Sequence, residues 1–379
     1  MDTVASGMLP WAGQQQVKKN DLARYGLKKS RPRPQLHPMT PTPGPLNLVT
    51  DVPGLRVGHA QSENHLTGVT VLLPEKEATA AIDQRGGAPG TRETDVLTLE
   101  NSVEVIHALV FSGGSAFGLE SASGVQRWLY ENNRGYRVGD TCVPIVPCAV
   151  VFDLFVNGQD SRHPNCDYLA LGRQACENSA EQFALGNAGA GLGAIAGDLK
   201  GGTGSASLFD PQTGYTVGAL AAVNSAGSAV IPGTPVLWAW PFEQNGELGH
   251  QPVPTRPVSL EPHFPRDLGP TTNTTLVAVA TDAPLTPAQS KRLAIMAHDG
   301  LARALRPVHA PQDGDTVFAL STTGAVSDAV TAIDVLARIG ALAADCTARA
   351  IARGVFEADS AGVAVSYRDH FGAGVKGNK

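Results

Sequence analysis

The sequence predicts an α+β fold in which helices cover β-sheets. Short apolar runs typical of strands come in clusters, as at 68–73, 79–83 and 217–224. Longer segments with helical spacing stand singly between or after these clusters. Because strands and helices do not alternate strictly, we expect antiparallel sheets with helices packed on them rather than one parallel sheet.

The composition indicates a globular protein with a small-molecule or protein partner. Hydrophobic residues make up 42% of the 379 residues and charged residues 17%, while 42 glycines and 27 prolines predict many turns. A net charge of -6 provides no concentrated positive surface for phosphates, so no nucleic-acid partner is expected. No apolar run is long enough for a membrane span and no export signal is recognisable, which favours a cytoplasmic protein with no membrane partner.

Cysteine and histidine patterns give no sign of a metal or a disulfide framework. The five cysteines are odd in number and lack C-x-x-C spacing, which favours reduced thiols. The ten histidines form no ligand-spaced cluster, and each is interpreted as a surface or packing residue. The sequence therefore predicts neither a metal nor another cofactor.

The chain divides into an arm and one domain. Residues 1–47 mix Gln, Lys, Arg and Pro and are interpreted as an extended or disordered arm, whereas 48–379 are interpreted as a single catalytic domain. In its first half the expected elements are strands around 52–58 and at 68–73, 79–83, 108–111 and 145–155, and helices at 116–130 and 168–184.

The second half begins with a glycine-dense stretch at 186–207 and ends with a long helix. Thr286 and Pro287 supply an N-cap and a first-turn proline for one of its helices. The expected elements are strands at 217–224, 229–231, 274–281 and 316–320, an exposed loop at 238–271, and helices from 287 to about 305 and at 329–353.

Thr274 is the first candidate for a reactive group. It lies where the turn-prone residues 269–273 run into a buried strand. If the bond between Asn273 and Thr274 were cut, the new α-amine would lie beside its own hydroxyl and serve as its base. The alternative interpretation is that a pair of threonines simply begins a β-branched strand.

Other polar residues at strand and loop ends are weak candidates individually. Lys200 is equally well explained as a solvated lysine, Asn224 as the end of a strand, and Asp313 and Asp315 as a common turn. The Ser112-Gly113-Gly114 turn between a strand and a helix exposes backbone N–H groups that suit a substrate oxygen or carboxylate, although tight packing explains it as well. Gly189-x-Gly191-x-x-Ala194 follows a predicted helix, so a dinucleotide site is not favoured.

Together these residues match a known pattern. The chain resembles the L-aminopeptidase/D-Ala-esterase family of self-processing peptidases, in its threonine-type branch, which includes 6-aminohexanoate-oligomer hydrolase. The resemblance runs from about residue 52 to 320 and is carried by Thr67-Gly68-Val69-Thr70-Val71, Asp83-x-Arg85-Gly86-Gly87, Ser112-Gly113-Gly114-Ser115-Ala116-Phe117-Gly118-Leu119-Glu120, Gly189-Ala190-Gly191, Lys200, Asn224, Asn273-Thr274-Thr275 and Asp313-Gly314-Asp315-Thr316.

The resemblance implies an αββα sandwich of the N-terminal-nucleophile hydrolase kind and no cofactor. It also implies that the precursor cuts itself between Asn273 and Thr274 into 1–273 and 274–379, which stay together. Homo-oligomers of such processed pairs, often tetramers, are expected from the same resemblance.

The resemblance further assigns roles to the site residues. Lys200 is expected to keep the new amine neutral, and Asn224 to donate to the oxyanion. Asp313 and Asp315 are expected to orient Thr274 and to bind the substrate's amino group, and the Ser112-Gly113-Gly114 turn to line the pocket. Phe152 is expected to contribute to substrate binding as well, but it is a departure, since it stands where relatives carry a tyrosine near the nucleophile.

The predicted function is therefore an N-terminal-threonine amidohydrolase. It would cut amide bonds of short peptides with a free amino end, or of 6-aminohexanoate oligomers, through an acyl-enzyme. One alternative is acyl transfer of the kind ornithine acetyltransferase performs. Another, which Phe152 favours, is an unprocessed binding protein with the same fold.

Overall fold

A computed structural model describes residues 40–372 apart from 159–162, 256, 260, 262–272 and 325–330. The arm up to residue 39 and the end of the predicted 238–271 loop lie outside the described residues. The strands are β1 (Leu55–Ser62), β2 (Thr67–Pro74), β3 (Ala78–Gln84), β4 (Thr91–Arg92), β5 (Val105–Ile106), β6 (Leu109–Ser112), β7 (Tyr136–Val138), β8 (Thr141–Val143), β9 (Cys148–Val150), β10 (Ile195–Ala196), β11 (Leu199–Lys200), β12 (Gly202–Phe209), β13 (Thr216–Asn224), β14 (Thr274–Thr281) and β15 (Thr316–Ser321). The helices are α1 (Ser121–Glu131), α2 (Tyr168–Glu177), α3 (Pro287–Ala304), α4 (Ile333–Phe356) and α5 (Tyr367–Phe371).

Two larger sheets and two small hairpins contain these strands. The first sheet has the order β1-β2-β6-β9-β4, and the second has the order β12-β13-β14-β15-β3-β5. Most neighbours are antiparallel, but β14 pairs in parallel with β15 and β6 in parallel with β9. The expectation of antiparallel sheets is therefore correct for most pairs and wrong for these two.

The two sheets and the helices form four layers. Alternate side chains of a strand pack on the two opposite sides of its sheet. On β13, Leu220 and Ala222 belong to the core between the sheets, whereas Val217 and Val223 belong to the core shared with α3 and α4. The opposite face of the first sheet packs on α1 and α2. Because successive side chains of a strand point to opposite faces, each sheet is buried on both sides. The αββα sandwich is confirmed.

Several strands were not predicted, and the longest of these is β12. It lies in the glycine-dense stretch, where glycine and small residues conceal the strand pattern. A β-carbon at Gly204 would lie 1.9 Å from the carbonyl oxygen of Ala350 on α4. The glycines of β12 thus let the sheet and the long helix approach closely, which is why residues 202–207 are all small.

Several predicted elements are shorter than expected. The strand predicted at 145–155 is limited to β9, and the helix predicted at 168–184 ends at Glu177. Asn178 caps α2, and Ala180 then forms a bridge to Val57, so the chain has already turned towards the first sheet. The strand predicted at 229–231 is limited to isolated bridges, such as Val230 with Leu237.

The packed region begins before the predicted boundary at residue 48. Thr42 forms a bridge with Phe209, and Gly44 N donates to Ser207 Oγ at 3.1 Å. Asn47 Nδ2 donates to Glu247 Oε2 at 2.6 Å. Residues 40–47, which the sequence analysis assigned to the arm, therefore pack on the domain. Within the described ranges, no helix is both long and apolar enough to cross a membrane.

A buried ion pair joins α4 to the loop that precedes β14. Arg349 contacts both carboxylate oxygens of Glu247, at 2.5 and 2.8 Å, and these side chains are only 1% and 7% exposed. Arg349→Met would leave the Glu247 charge buried and without its main partner. We expect a loss of about 3–5 kcal/mol in the free energy of unfolding, measured by urea denaturation.

An exposed ion pair provides the control for this prediction. Arg368 contacts Asp359 at 2.8 Å, but the two side chains are 40% and 80% exposed. Arg368→Met is expected to change the free energy of unfolding by less than about 1 kcal/mol. Equal losses in the two variants would contradict the buried pair's role in stability.

Candidate active site

Thr274 begins β14 and is buried beside the carbonyl group that precedes it. Its Oγ1 donates to the carbonyl oxygen of Asn273 at 2.6 Å. Gly314 N donates to the same oxygen at 2.8 Å. Two donors therefore hold this carbonyl oxygen, and they polarise the group that Thr274 would have to attack.

Asn224 lies directly opposite Thr274, at the end of the neighbouring strand β13. Its Oδ1 accepts from Ile195 N at 2.9 Å, and its Nδ2 donates to the carbonyl oxygen of Phe152 at 3.0 Å. The Phe152 contact uses one of the two Nδ2 protons. The Phe152 ring packs on Phe155, with the ring centroids 5.5 Å apart. Phe152 thus contributes its main-chain carbonyl to the site network.

Asp313 and Asp315 hold the backbone around Thr274 rather than Thr274 itself. Asp315 Oδ1 accepts from Thr275 N at 2.9 Å. Asp313 accepts from Ala226 N at 3.1 Å and Ala310 N at 3.2 Å. Burial, together with the neighbouring Asp315 charge, raises the pKa of Asp313 to about 6. The two carboxylates therefore fix the loop and strand on either side of the hydroxyl.

Lys200 is a fully buried lysine at the same end of the second sheet. It precedes β12, whose first residue Gly202 faces Val223, the neighbour of Asn224 in the chain. Its Nζ donates to the carbonyl oxygens of Gly191 at 2.9 Å and Gly201 at 2.8 Å. Burial lowers the pKa of Lys200 to about 7, and the attraction of Asp153 partly opposes this. Lys200 can therefore change its charge near neutral pH.

The Ser112-Gly113-Gly114 turn binds a buried carboxylate, Asp153. Gly114 N donates to Asp153 Oδ1 at 2.6 Å, and Thr67 Oγ1 donates to Oδ2 at 2.7 Å. Burial raises the pKa of Asp153 to about 6. An N–H of this turn therefore already binds a carboxylate of the protein itself.

The Ser112 hydroxyl points away from the interior between the sheets. Phe111 belongs to the core between the two sheets and Val110 to the core under α1 and α2, so Ser112 shares the helix-facing side with Val110. A β-carbon at Gly118 would lie 2.7 Å from Ser112 Oγ. The hydroxyl thus packs against the turn of residues 115–120, and substrate binding by Ser112 could use only its backbone.

The Arg85-Gly86-Gly87 segment supports the loop that carries the two aspartates. Arg85 N and Gly86 N donate to the carbonyl oxygen of Asp315 at 3.0 and 3.2 Å. A β-carbon at Gly86 would lie 2.3 Å from Asp315 N. The glycine is thus required by close packing of two backbones, which explains why this motif accompanies the aspartate pair.

Two groups of the site, Asp153 and His309, were not predicted from the sequence. His309 Nδ1 lies 2.9 Å from Asp315 Oδ2, although histidines were interpreted as surface or packing residues. Asp153 lies within the strand predicted at 145–155, where a charged residue in an otherwise apolar run is itself a signal. The predicted residues Thr274, Asn224, Asp313 and Asp315 meet at one end of the second sheet, and Lys200 lies two strands away.

Solved structures share the four-layer arrangement. L-aminopeptidase D-Ala-esterase/amidase from Ochrobactrum anthropi, described as a variant of the Ntn hydrolase fold, matches with a TM-score of 0.66 at 22% identity over 88% of this chain and 94% of its own. A Burkholderia sp. beta-aminopeptidase matches with a TM-score of 0.65 at 23% identity, over 86% and 92%. At these identities the likeness establishes the fold, which is that of an N-terminal-nucleophile hydrolase.

Sequence comparison gives the family. The model of Peptidase family S58 matches residues 47–366, and the chain belongs to this family. An uncharacterised aminopeptidase of Mycobacterium tuberculosis is 45% identical over 86% of this chain and 98% of its own length. A 6-aminohexanoate-oligomer endohydrolase of Kocuria sp. is 32% identical over 72% and 74%. The protein is therefore a hydrolase, as the sequence analysis predicted.

Proposed function

We propose that the protein is a self-processing amidohydrolase whose nucleophile is Thr274. The observation that carries the proposal is the pair of donors on one carbonyl oxygen: Thr274 Oγ1 at 2.6 Å and Gly314 N at 2.8 Å from Asn273 O. An N–H aimed at a carbonyl oxygen stabilises the negative charge that develops when the carbon is attacked. The hydroxyl that would attack this carbonyl carbon is that of Thr274, the residue after Asn273.

Self-cleavage proceeds in two steps. Thr274 Oγ1 bonds to the Asn273 carbonyl carbon, and its proton passes to the Thr274 nitrogen as the C–N bond breaks. The product is an ester between Asn273 and the Thr274 side chain. Water hydrolyses this ester, which leaves a carboxylate on Asn273 and a free α-amine on Thr274.

The free amine then serves as the base for external substrates. It accepts the Oγ1 proton as the oxygen attacks the substrate's amide carbonyl, and the proton passes to the departing amine. Water hydrolyses the acyl-enzyme ester and restores the hydroxyl. In this scheme the second Nδ2 proton of Asn224 stabilises the oxyanion, while Asp315 keeps the first peptide of β14 in place.

In this proposal Lys200 controls the protonation of the Thr274 α-amine. A positive charge at the same end of the sheet, two strands from Thr274, disfavours a second positive charge on the Thr274 α-amine, so the amine stays neutral and can act as a base. With a pKa of about 7, Lys200 itself is charged in a growing fraction of molecules as the pH falls. Asp313 is also proposed to bind the substrate's amino group. This role requires that the hydrogen bonds between its carboxylate and backbone N–H groups loosen after the cut.

The proposed substrates are short amides with a free amino end, including linear 6-aminohexanoate oligomers. Support comes from the family and from the similarity to the Kocuria sp. enzyme. A cytoplasmic homo-oligomer of processed pairs, with four pairs, is proposed as the working assembly. Light scattering on the purified protein measures its mass and tests this part directly.

A denaturing gel with mass spectrometry tests the cleavage. The purified protein should give two fragments that divide after residue 273, and the smaller should begin with Thr274. Hydrolysis of a short aminoacyl amide, measured with and without an added amine acceptor, separates hydrolysis from acyl transfer. An uncut chain that nevertheless hydrolyses amides would falsify the proposed mechanism.

Gly314→Ala is expected to slow processing strongly. A β-carbon at this position would lie 2.5 Å from Thr274 Oγ1, closer than non-bonded atoms approach, so the hydroxyl must move. Displacing a reacting group by about 1 Å commonly reduces rates about 10²-fold. The rate is measured as disappearance of the full-length chain on a gel.

Gly90→Ala is a matched control for the glycine change. Its β-carbon would lie 2.6 Å from a methyl group of Val150 on a strand of the first sheet, so a side chain must also move in this variant, but that side chain is not Thr274. We expect processing close to the wild-type rate. Equal slowing in both variants would mean that Gly314 acts through general packing rather than through the hydroxyl.

A further inference from the structure

His309 holds the outer oxygen of Asp315. Its ring Nδ1 and its main-chain N each lie 2.9 Å from Asp315 Oδ2. The other oxygen of that carboxylate accepts from Thr275 N at 2.9 Å. Because a carboxylate only accepts hydrogen bonds, the proton must be on His309 Nδ1. The carboxylate therefore links His309 to the residue that follows Thr274.

The backbone conformation of His309 serves this contact. Its φ of 57° lies in the left-handed region, which residues with a β-carbon rarely adopt. Such conformations persist where surrounding contacts determine them, and they concentrate at functional sites. Here the main-chain N–H and the ring N–H of one residue meet a single oxygen. The side chain is 21% exposed, so burial alone does not explain its placement.

A second histidine supports the ring from the helical layer. His298 on α3 meets His309 edge-on, with centroids 4.9 Å apart. Its Nε2 lies 3.0 Å from the carbonyl oxygen and 3.2 Å from Oδ2 of Asp83. Burial lowers the pKa of His298 to about 4, so this ring is neutral at neutral pH and does not repel His309. Among the described residues, other charged groups around the pair are Asp313 on the same loop and the two cations that contact Asp83, Arg85 and Lys291.

We propose that His309 is a positioning residue for the Thr274 hydroxyl. By holding the Asp315 carboxylate, it fixes the first peptide of β14 and keeps Thr274 Oγ1 on the Asn273 carbonyl. The inference rests on the proposed function, because it assigns His309 a role in the same self-cleavage and in the turnover that follows.

Two substitutions of the same shape test the role. His309→Asn keeps a side-chain N–H near the Nδ1 position, and His309→Asp has none and turns a second carboxylate towards Asp315. Both residue types tolerate the left-handed region. We expect His309→Asn to process within about threefold of wild type and His309→Asp to process at least about tenfold more slowly. Lowering the pH should restore His309→Asp in part, since a protonated carboxyl donates a hydrogen bond.

His250 provides the matched control pair. It is exposed and also left-handed, with a φ of 59°, but it lies on the loop after β13, where it contacts Glu243. His250→Asn and His250→Asp should process at the same rate. Rates are compared at a temperature where circular dichroism shows all variants folded. In the cut enzyme, His309→Asp should lower kcat and leave KM unchanged.

The outcomes separate this inference from the proposed function. A wild type that is never cut between 273 and 274 would remove the proposed function itself. A wild type that is cut, with equal rates in His309→Asn and His309→Asp, would overturn only the role of His309. A slow His309→Asp that shows no recovery at lower pH would likewise overturn it, because the loss would then not depend on the missing donor.

Discussion

Thr274→Val is expected to leave the chain uncut and without amidase activity. Valine has the shape of threonine and the same strand preference, so β14 should form as before. Only the hydroxyl that lies 2.6 Å from Asn273 O is removed. Because no other hydroxyl in the described site lies on this carbonyl, we expect no fragments on a denaturing gel. Amide hydrolysis should fall by at least about 10³-fold, as is usual when a nucleophile is removed.

Thr275→Val is the matched control for this change. Thr275 is also buried in β14, and its Oγ1 has no hydrogen-bond partner among the described residues. Removing an unpartnered buried hydroxyl should leave stability unchanged or raise it. We therefore expect normal processing in Thr275→Val. Fragments in Thr274→Val, or their loss in both variants, would contradict a specific role of the Thr274 hydroxyl.

Sequence patterns located the elements whose ends carry strong signals. The strand predicted at 274–281 has the bounds of β14, and α3 begins at Pro287 with Thr286 as its N-cap. These succeed because a turn-to-strand change and a capping residue act locally. β12 was missed because its glycines are required by close contact with α4, which lies about 150 residues further along the chain. A strand selected for close approach to a distant helix has no pattern that a local window can detect.

The candidate site likewise contains residues that the sequence predicted and residues that it did not. Thr274, Asn224 and the two aspartates were predicted through a resemblance, and the structure brings them to one end of the second sheet. Asp153 and His309 were missed because their roles depend on contacts made in the folded chain. His309 looks like any loop histidine until Asp315 Oδ2 is placed 2.9 Å from its ring.

Lys200→Met is expected to disable the enzyme while changing how its stability depends on pH. Turnover should fall at least about tenfold, since a charge that adjusts a neighbouring base is lost. The substitution should also change how the free energy of unfolding depends on pH. Burial lowers the pKa of Lys200 from 10.5 in an exposed lysine to about 7. The folded chain therefore releases this proton at a lower pH than the unfolded chain does.

The sign of the pH effect follows from that difference. Below about pH 7 the lysine is charged in both states, and the full destabilisation from burying its charge is present. Between about pH 7 and 10.5 the unfolded state binds more protons, so the contribution of Lys200 to the free energy of unfolding rises with pH. The total rise is on the order of 5 kcal/mol. Methionine carries no proton and should show no such rise.

The comparison requires chains in the same state of cleavage. Lys200→Met and its reference are therefore both made with Thr274→Val, so that neither is cut. Urea denaturation at several pH values between 6.5 and 10 gives the difference in the free energy of unfolding between the two chains. Titration of the cysteines and tyrosines cancels in this difference, because both chains contain them. Loss of the contacts to Gly191 O and Gly201 O lowers the stability of the methionine chain by an amount that does not depend on pH.

The pH dependence of the difference therefore isolates the charge of Lys200. A difference that grows in favour of the lysine chain as the pH rises from 7 to 10 indicates a lysine that is neutral in the folded protein at high pH. A constant difference would mean that Lys200 keeps its charge while buried, for example through stronger attraction to Asp153. Such a lysine could still repel a proton from the Thr274 amine, but it could not release its own proton near neutral pH. Lys76 is exposed. Lys76→Met, made in the same uncut background, controls for the loss of one positive charge.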